Sequence, residues 1–446
     1  MNNRLDNHAS LLKEYPQNDY YRLDFESCED ILKIQDTLLI KHLHYTITHS
    51  RFYRALFERS GLDIYSIKGV QDLGKIPFTT KMDLERHNHE FLACDPQEIV
   101  DVCLTSATTG ESPNMLLQSS SDLVRLAYNE EAAFRMIGID ADHTLVICAA
   151  IDRCFMAGLA YYLGGLKIGA RMVRAGSGSA AQHWHMIKTT GATGIVGVPS
   201  LIRKIGQYAL EHGENPAKIG IRLMVAIGEG IRDHKMNLLP AARQVEEMWG
   251  ATLYSTYAST EMATAFCECR ERRGGHIRPE LIIAEIIDEN GNKATSGGTG
   301  EVVITPLGVT GMPLIRFRTG DISFLITEYC GCGRRTPRIG PILGRKNQML
   351  KFKGTTLFPS AILSVVEGIE GVDGACIEAR KNDDGTDNVI LYVYCKNPPA
   401  LEKAIVDNLR ARIRVVPEIS FISEKELNHK IYHPERRKKI SFIDFR

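Results

Sequence analysis

Between residues 100 and 230 the chain alternates short apolar runs with longer amphipathic ones, and this restricts the fold more than any other feature of the sequence. Val102–Leu104, Thr144–Ala149, Gly194–Val198 and Leu223–Ile227 each read as a short buried strand; Ser121–Met136 and Leu201–Glu211 read as helices between them. A parallel strand pair needs a long crossover, which a helix supplies, so the alternation predicts an α/β sheet with parallel strands. Residues 1–100 read as mostly helical. From about 250 to 345 the pattern turns β-rich, with Leu281–Ile287 and Glu301–Thr305 as strands and turn residues at 288–291 and 296–300. Beyond Arg345 a smaller α+β unit is expected, with Val389–Cys395 as a strand and Leu401–Ile413 as a helix. The expected division is therefore 1–346 and 347–446, with the junction inside Gly344–Gln348.

At 446 residues the chain is long enough for at least two domains. Lys plus Arg and Asp plus Glu both number 54, so there is no basic excess of the kind that nucleic-acid or membrane-surface proteins carry. The polar start is unlike a secretory signal, and the apolar stretch Cys154–Leu166 falls short of the roughly 18 residues that span a bilayer. A cytoplasmic location is expected, with that stretch as a buried helix. The 11 cysteines do not describe a disulfide framework. Four of them form two tight pairs, Cys267/Cys269 and Cys330/Cys332.

Thr105, Ser106, Thr108, Thr109 and Gly110 follow directly on an apolar run. Small residues let backbone N–H groups approach phosphate oxygens, and the hydroxyls add donors. The loop lacks the Gly-Lys-Ser/Thr ending of a Walker loop. By itself it reads equally as a surface turn.

Four further segments follow in order: Gly228-Glu-Gly230, Tyr257-Ala-Ser-Thr-Glu261, Phe317-Arg-Thr-Gly-Asp321, and Gly344-Arg-Lys-Asn-Gln348 running on to Gly354. This ordered set resembles the adenylate-forming superfamily of acyl-CoA synthetases, and within it the phenylacetate–CoA ligase family, over about residues 70–446. The resemblance implies ATP-dependent activation of a carboxylic acid to its acyl-AMP, with Mg²⁺, and then transfer to coenzyme A. It implies that Thr105–Gly110 hold the β- and γ-phosphates, that Thr260 donates to the α-phosphate, and that Glu261 binds Mg²⁺. Gly228, Glu229 and Gly230 would flank the adenine opposite Ser255, Thr256 and Tyr257. Asp321 would accept the ribose hydroxyls and Arg345 would lie against ribose and phosphates. Aligning Asp444 and Arg446 with the family's closing Asp-X-Arg puts Lys438 at the catalytic lysine position, with Lys439 as its rival. The resemblance further implies a small C-terminal unit that rotates between half-reactions about a pivot near Asn347. Three positions depart from the family pattern: Asn347 replaces an acidic residue, and Ala107 and Ala258 replace glycines.

Part of that family also carries Cys…His…Cys-X-Cys, which makes Cys269, His276, Cys330 and Cys332 a candidate closed Cys₃His zinc site, with Cys267 in reserve. By family position Phe155, Ala157 and Pro199 would line the acyl pocket, and an aryl or arylacetic acid, phenylacetate first, is the expected substrate. Transfer to a non-CoA acceptor, as in coenzyme F390 synthetase-like members, or a catalytically silent nucleotide-binding role are the alternatives. The expected partners are the acid, ATP and CoA, without nucleic acid or membrane, and with a homodimer as the expected assembly.

Overall fold

The computed structural model describes residues 20–105, 114–295, 297–353, 355–382, 387–432 and 440–446. Its centre is a mixed sheet. Arg171–Arg174, Thr144–Ile147, Gly194–Gly197, Leu223–Ala226 and Thr252–Ser259 lie side by side in parallel. The middle three are buried along their whole length, which is why they read as unbroken apolar runs: helices cover both faces of a parallel sheet. One face packs against Trp184, Ile202 and Trp249, and the other against Phe134 and Tyr161.

Past Thr252–Ser259 the sheet turns antiparallel through Thr264–Cys267, Gly275–His276, Arg338–Ile339, Phe317–Ile326, Thr299–Pro306 and Ile282–Ile287. The N-terminal helices Cys28–His49 and Arg51–Ser60 close one side of this region. Their Phe52 stacks on Phe91 at 3.9 Å and shares a core with Ile282, Val302 and Phe317.

The helix Ser120–Ile137 runs through the middle of the molecule. Ser119 and Asp122 close a capping box at its start, and Gly138, at φ 87°, ends it in a conformation that favours glycine. Its Arg125 is fully buried and spends its guanidinium on three carbonyls, Leu307 at 2.7 Å together with Ala263 and Leu281. One side chain thus ties the helix to three loops of the antiparallel region. No described helix is long and apolar enough to cross a membrane; Met156–Ile168, which holds most of the longest apolar stretch, is largely buried.

A separate four-stranded sheet is built from Val372–Lys381, Asp387–Cys395, Glu418–Phe421 and Phe442–Asp444. Pro359–Val366 and Pro398–Ile413 pack on it, and its core holds Ile362, Ile377, Leu391 and Leu409.

One expectation is corrected. Val102–Leu104 is not a strand of the parallel sheet: it belongs to Ile99–Leu104, which pairs antiparallel with Met115–Ser119 in a two-stranded hairpin. Val100 and Val102 are exposed on one face of the hairpin. A short apolar run does not by itself distinguish a strand covered on both faces from a half-exposed one.

Candidate active site

Ligands of open α/β sheets collect at the carboxyl ends of the strands. Several of the described sequence candidates follow the carboxyl ends of Leu223–Ala226 and Thr252–Ser259. Gly228 follows Leu223–Ala226 at φ 71°, where a side chain would be strained, and Gly230 has open space around its Cα. Glu229 turns back to the start of an earlier helix, accepting from Ser200 N at 3.0 Å and Ser200 Oγ at 2.7 Å. The 228–230 turn is therefore fastened to the start of Pro199–Glu211.

On the facing strand, Ser255 N donates to Glu268 Oε2 at 2.8 Å, and Glu268 is held by the Arg232 guanidinium. Thr256 Oγ1 donates to Ala226 O at 3.1 Å and lies 3.0 Å from Tyr161 Oη. Thr256 is thus bonded to the end of the strand that leads into the 228–230 turn. Tyr257 stacks on Phe266 at 5.8 Å and donates its hydroxyl to Asp321 Oδ2 at 2.9 Å. Burial, and next the Asp321 charge, hold the Tyr257 phenol well above its usual pKa, so it remains a donor.

Asp321 is fixed from three directions. Its backbone sits opposite Arg345 in an antiparallel pair, Arg345 Nε lies 3.3 Å from Oδ1, and Thr319 Oγ1 accepts its N–H at 3.1 Å. Thr260 and Glu261 form the tight turn after Thr252–Ser259, and Glu261 is buried. Lys81 Nζ stands 3.9 Å from Glu261 Oε1. Thr105 pairs with Asn114 in both directions, N to O at 2.9 Å and Oγ1 from Asn114 N at 3.0 Å, so the two ends of the phosphate-loop candidate are clamped together. Ser106, Ala107, Thr108, Thr109 and Gly110 lie outside the described residues, as do Lys438 and Lys439.

A profile of the AMP-binding enzyme family matches residues 42–312, more than half of the chain. The chain belongs to the AMP-binding enzyme family. Among relatives of this AMP-binding enzyme, the phenylacetate-coenzyme A ligase of Thermus thermophilus is 29% identical over 350 residues, 77% of each chain. The phenylacetate-coenzyme A ligase of Pseudomonas putida is 25% identical over 332 residues, 72% of this chain and 73% of its own. Among solved structures, a 2-hydroxyisobutyryl-CoA ligase in the postadenylation state with 2-HIB-AMP superposes with a TM-score of 0.85 at 21% identity, covering 98% of this chain and 95% of its own. The same ligase in the thioesterification state gives 0.70, with the same identity and coverage.

Three residues of the AMP-binding enzyme were expected to line an acyl pocket. Phe155 immediately precedes Met156–Ile168, Pro199 is buried at the first position of its helix, and Ala157, like Val198, packs against the core of the parallel sheet.

Cys269, His276, Cys330 and Cys332 do converge, with their ligand atoms all within 4.8 Å of one another. Cys269 Sγ is 3.6 Å from Cys330 Sγ and Cys332 Sγ is 3.5 Å from His276 Nε2. Four ligands at about 2.0–2.3 Å around a tetrahedral Zn²⁺ would stand roughly that far apart. His276 Nδ1 lies 3.1 Å from Thr336 Oγ1, which leaves Nε2 for the metal. Burial lowers the His276 pKa to about 3, so the imidazole is neutral, as a ligand must be. Cys267 stands outside the group.

The sequence reading missed Lys81 and Arg125. Lys81 comes from a Phe-Thr-Thr-Lys segment 180 residues before Glu261. The signal was the strong start of its helix, where Thr80 and Asp83 close a capping box.

Proposed function

We propose that the chain joins ATP to an aryl or arylacetic acid, phenylacetate first, giving the acyl-AMP and pyrophosphate, and then passes the acyl group to coenzyme A with release of AMP. The reaction class is that of an AMP-forming acid–CoA ligase. The observation that carries the reading is the Tyr257–Asp321–Arg345 group: an oriented carboxylate that would accept two ribose hydroxyls, with a cation beside it, and with Tyr257 on the strand next to the one that leads into the 228–230 turn. The choice of acid is supported by the relatives named phenylacetate-coenzyme A ligase.

In the first step a carboxylate oxygen attacks the α-phosphorus and pyrophosphate leaves, so negative charge must be stabilised around that phosphorus. Thr260, in the turn beside Glu261, would donate to the α-phosphate. Lys81 adds a positive charge at the same place. Glu261 offers hard carboxylate oxygens for Mg²⁺, which when bound neutralises phosphate charge. Arg345 would bridge ribose and phosphate, and Lys438 would complete the charge balance on the carboxylate. The Cys₃His group would hold Zn²⁺ closed to solvent, a structural role. Residues 347–446 would form the unit that turns between half-reactions. The higher similarity to the postadenylation state of the 2-hydroxyisobutyryl-CoA ligase supports reading this arrangement as one of two.

The test is carboxylate-dependent ATP–pyrophosphate exchange over aryl, arylacetic and aliphatic acids, with and without CoA. Exchange with arylacetic acids, and thioester only when CoA is added, is the expected result. Exchange confined to short aliphatic acids would overturn the substrate class. Exchange without any thioester would overturn CoA as the acceptor.

A further inference from the structure

Along residues 344–351 the chain changes its partners within one peptide bond. Up to Lys346 the strand pairs and side chains face the large sheet: Gly344 and Arg345 pair with Ile322 and Asp321, Arg345 faces the Asp321 carboxylate, and Lys346 Nζ lies 3.3 Å from Glu301 Oε2; a single backbone bond, Met349 N to Lys346 O at 3.4 Å, closes the turn over the junction. From Asn347 the bonds run to the small sheet. Arg446 Nη2 donates to Asn347 O at 3.1 Å, and Nη1 donates to Met349 O at 2.7 Å. Lys351 N donates to Asp387 Oδ2 at 2.6 Å. Arg446 is itself gripped by Asp444 at 2.7 Å and by the buried Asp387 at 3.2 Å. Among the described residues, Ser360 Oγ to Leu343 O at 2.7 Å and the Phe358 ring against Gly344 also cross close to the seam.

We propose that Arg446 is a positioning residue, a clasp that binds the carbonyls of Asn347 and Met349 to the small sheet and so confines rotation to the Lys346–Asn347 junction. A guanidinium suits this task because its planar fork of five donors can serve two carbonyls and two carboxylates together; an ammonium has three donors and no fixed plane. Arg345 and Lys346 then stay with the nucleotide side while everything from Asn347 onward turns as one body. A hinge made of a few residues that absorb the dihedral change is the usual basis of such closures. Without the clasp, residues 347–350 become a slack tether, and the small unit loses its defined second position. The inference rests on the two-half-reaction reading above.

The test uses the full chain with R446A and R446K. Amide hydrogen exchange is expected to quicken at residues 347–350 in R446A, while the amides of Arg345 and Lys346 stay as protected as before. Acyl-CoA turnover is expected to fall about tenfold in R446A while ATP–pyrophosphate exchange stays within about threefold, with R446K recovering only part of the loss. Unchanged protection at 347–350 overturns the clasp. So does a fall in pyrophosphate exchange equal to the fall in turnover, together with a lower melting temperature, since that is the mark of a merely structural residue. A parent protein that exchanges pyrophosphate with no acid defeats the proposed function instead, and the hydrogen-exchange comparison still decides the clasp.

Discussion

Asp321 holds two partners, a tyrosine hydroxyl and an arginine, and each should leave a separate kinetic trace. Tyr257→Phe keeps the ring on Phe266 and removes one donor to a charged acceptor, a bond worth about 1.5–3 kcal/mol. The expected outcome is a rise of about tenfold or more in the KM for ATP with kcat nearly unchanged, read by steady-state kinetics. Lys81→Ala removes the charge beside Glu261, where the proposed reaction would bring the phosphates, and should lower the rate of pyrophosphate exchange by about 10²-fold while leaving the fold intact. Glu130 is fully buried with Oε2 unpartnered, and burial raises its pKa to about 7 from an ordinary 4.5. The native state therefore keeps a proton that the unfolded chain loses between those values, so this group's stability contribution is complete below pH 4.5 and lost as pH rises toward 7. Glu130→Gln does not titrate. Its melting temperature relative to the parent should climb between pH 5 and 7 and then level off, a span of about 3 kcal/mol. Of these residues, Tyr257 and Asp321 stood out in the sequence because each sits in one of the ordered segments that carry the family resemblance. Lys81, Glu130 and Arg125 were not, because their surroundings are assembled from segments far apart in the chain.

At the scale of elements, what could be read was whatever burial imposes on a single segment. Three parallel strands announced themselves as unbroken apolar runs because both their faces are covered. The long central helix was legible from its period. The hairpin Ile99–Leu104/Met115–Ser119 was misassigned because pairing direction is set by the partner strand and not by the run itself. The short strands Gly275–His276 and Arg338–Ile339 carry too few residues to show any period, yet they join the metal-ligand group to the sheet. The helix Lys81–Arg86 has six residues and depends on its cap. Thr80→Ala removes a side chain that accepts from Asp83 N and donates to Asp83 Oδ2 at 2.6 Å. It should cost about 1 kcal/mol in denaturant unfolding, and by loosening the seat of Lys81 it should lower pyrophosphate exchange more than that loss of stability accounts for.

For the whole molecule, the Cys₃His group is the clearest lever. Metal analysis should find one zinc per chain. Stripping it with a strong chelator should lower the melting temperature by an amount corresponding to several kcal/mol, and Cys332→Ser should do the same without chelator. Organisation at this scale was legible as a sequence of textures, helical, alternating, β-rich and again mixed; the order of strands in the sheet was not, since it depends on which edges meet in space. The strand Phe317–Ile326 shows what that order brings about. It bears Asp321, and four residues on, Leu325 and Ile326 pair with Ile339 and Arg338, the latter lying opposite His276. A nucleotide would thus hold this ribbon at Asp321, and a zinc would reach it through His276 and Arg338 about 13 Å further along. Linkage between two ligands of one rigid body is reciprocal. Whatever order a bound metal lent to the ribbon would reappear as affinity for ATP, and a bound nucleotide would tighten the metal's binding by the same factor. Zinc scarcity would then be felt first by chains with no nucleotide bound, and a well-charged ATP pool would itself protect the enzyme from losing its metal.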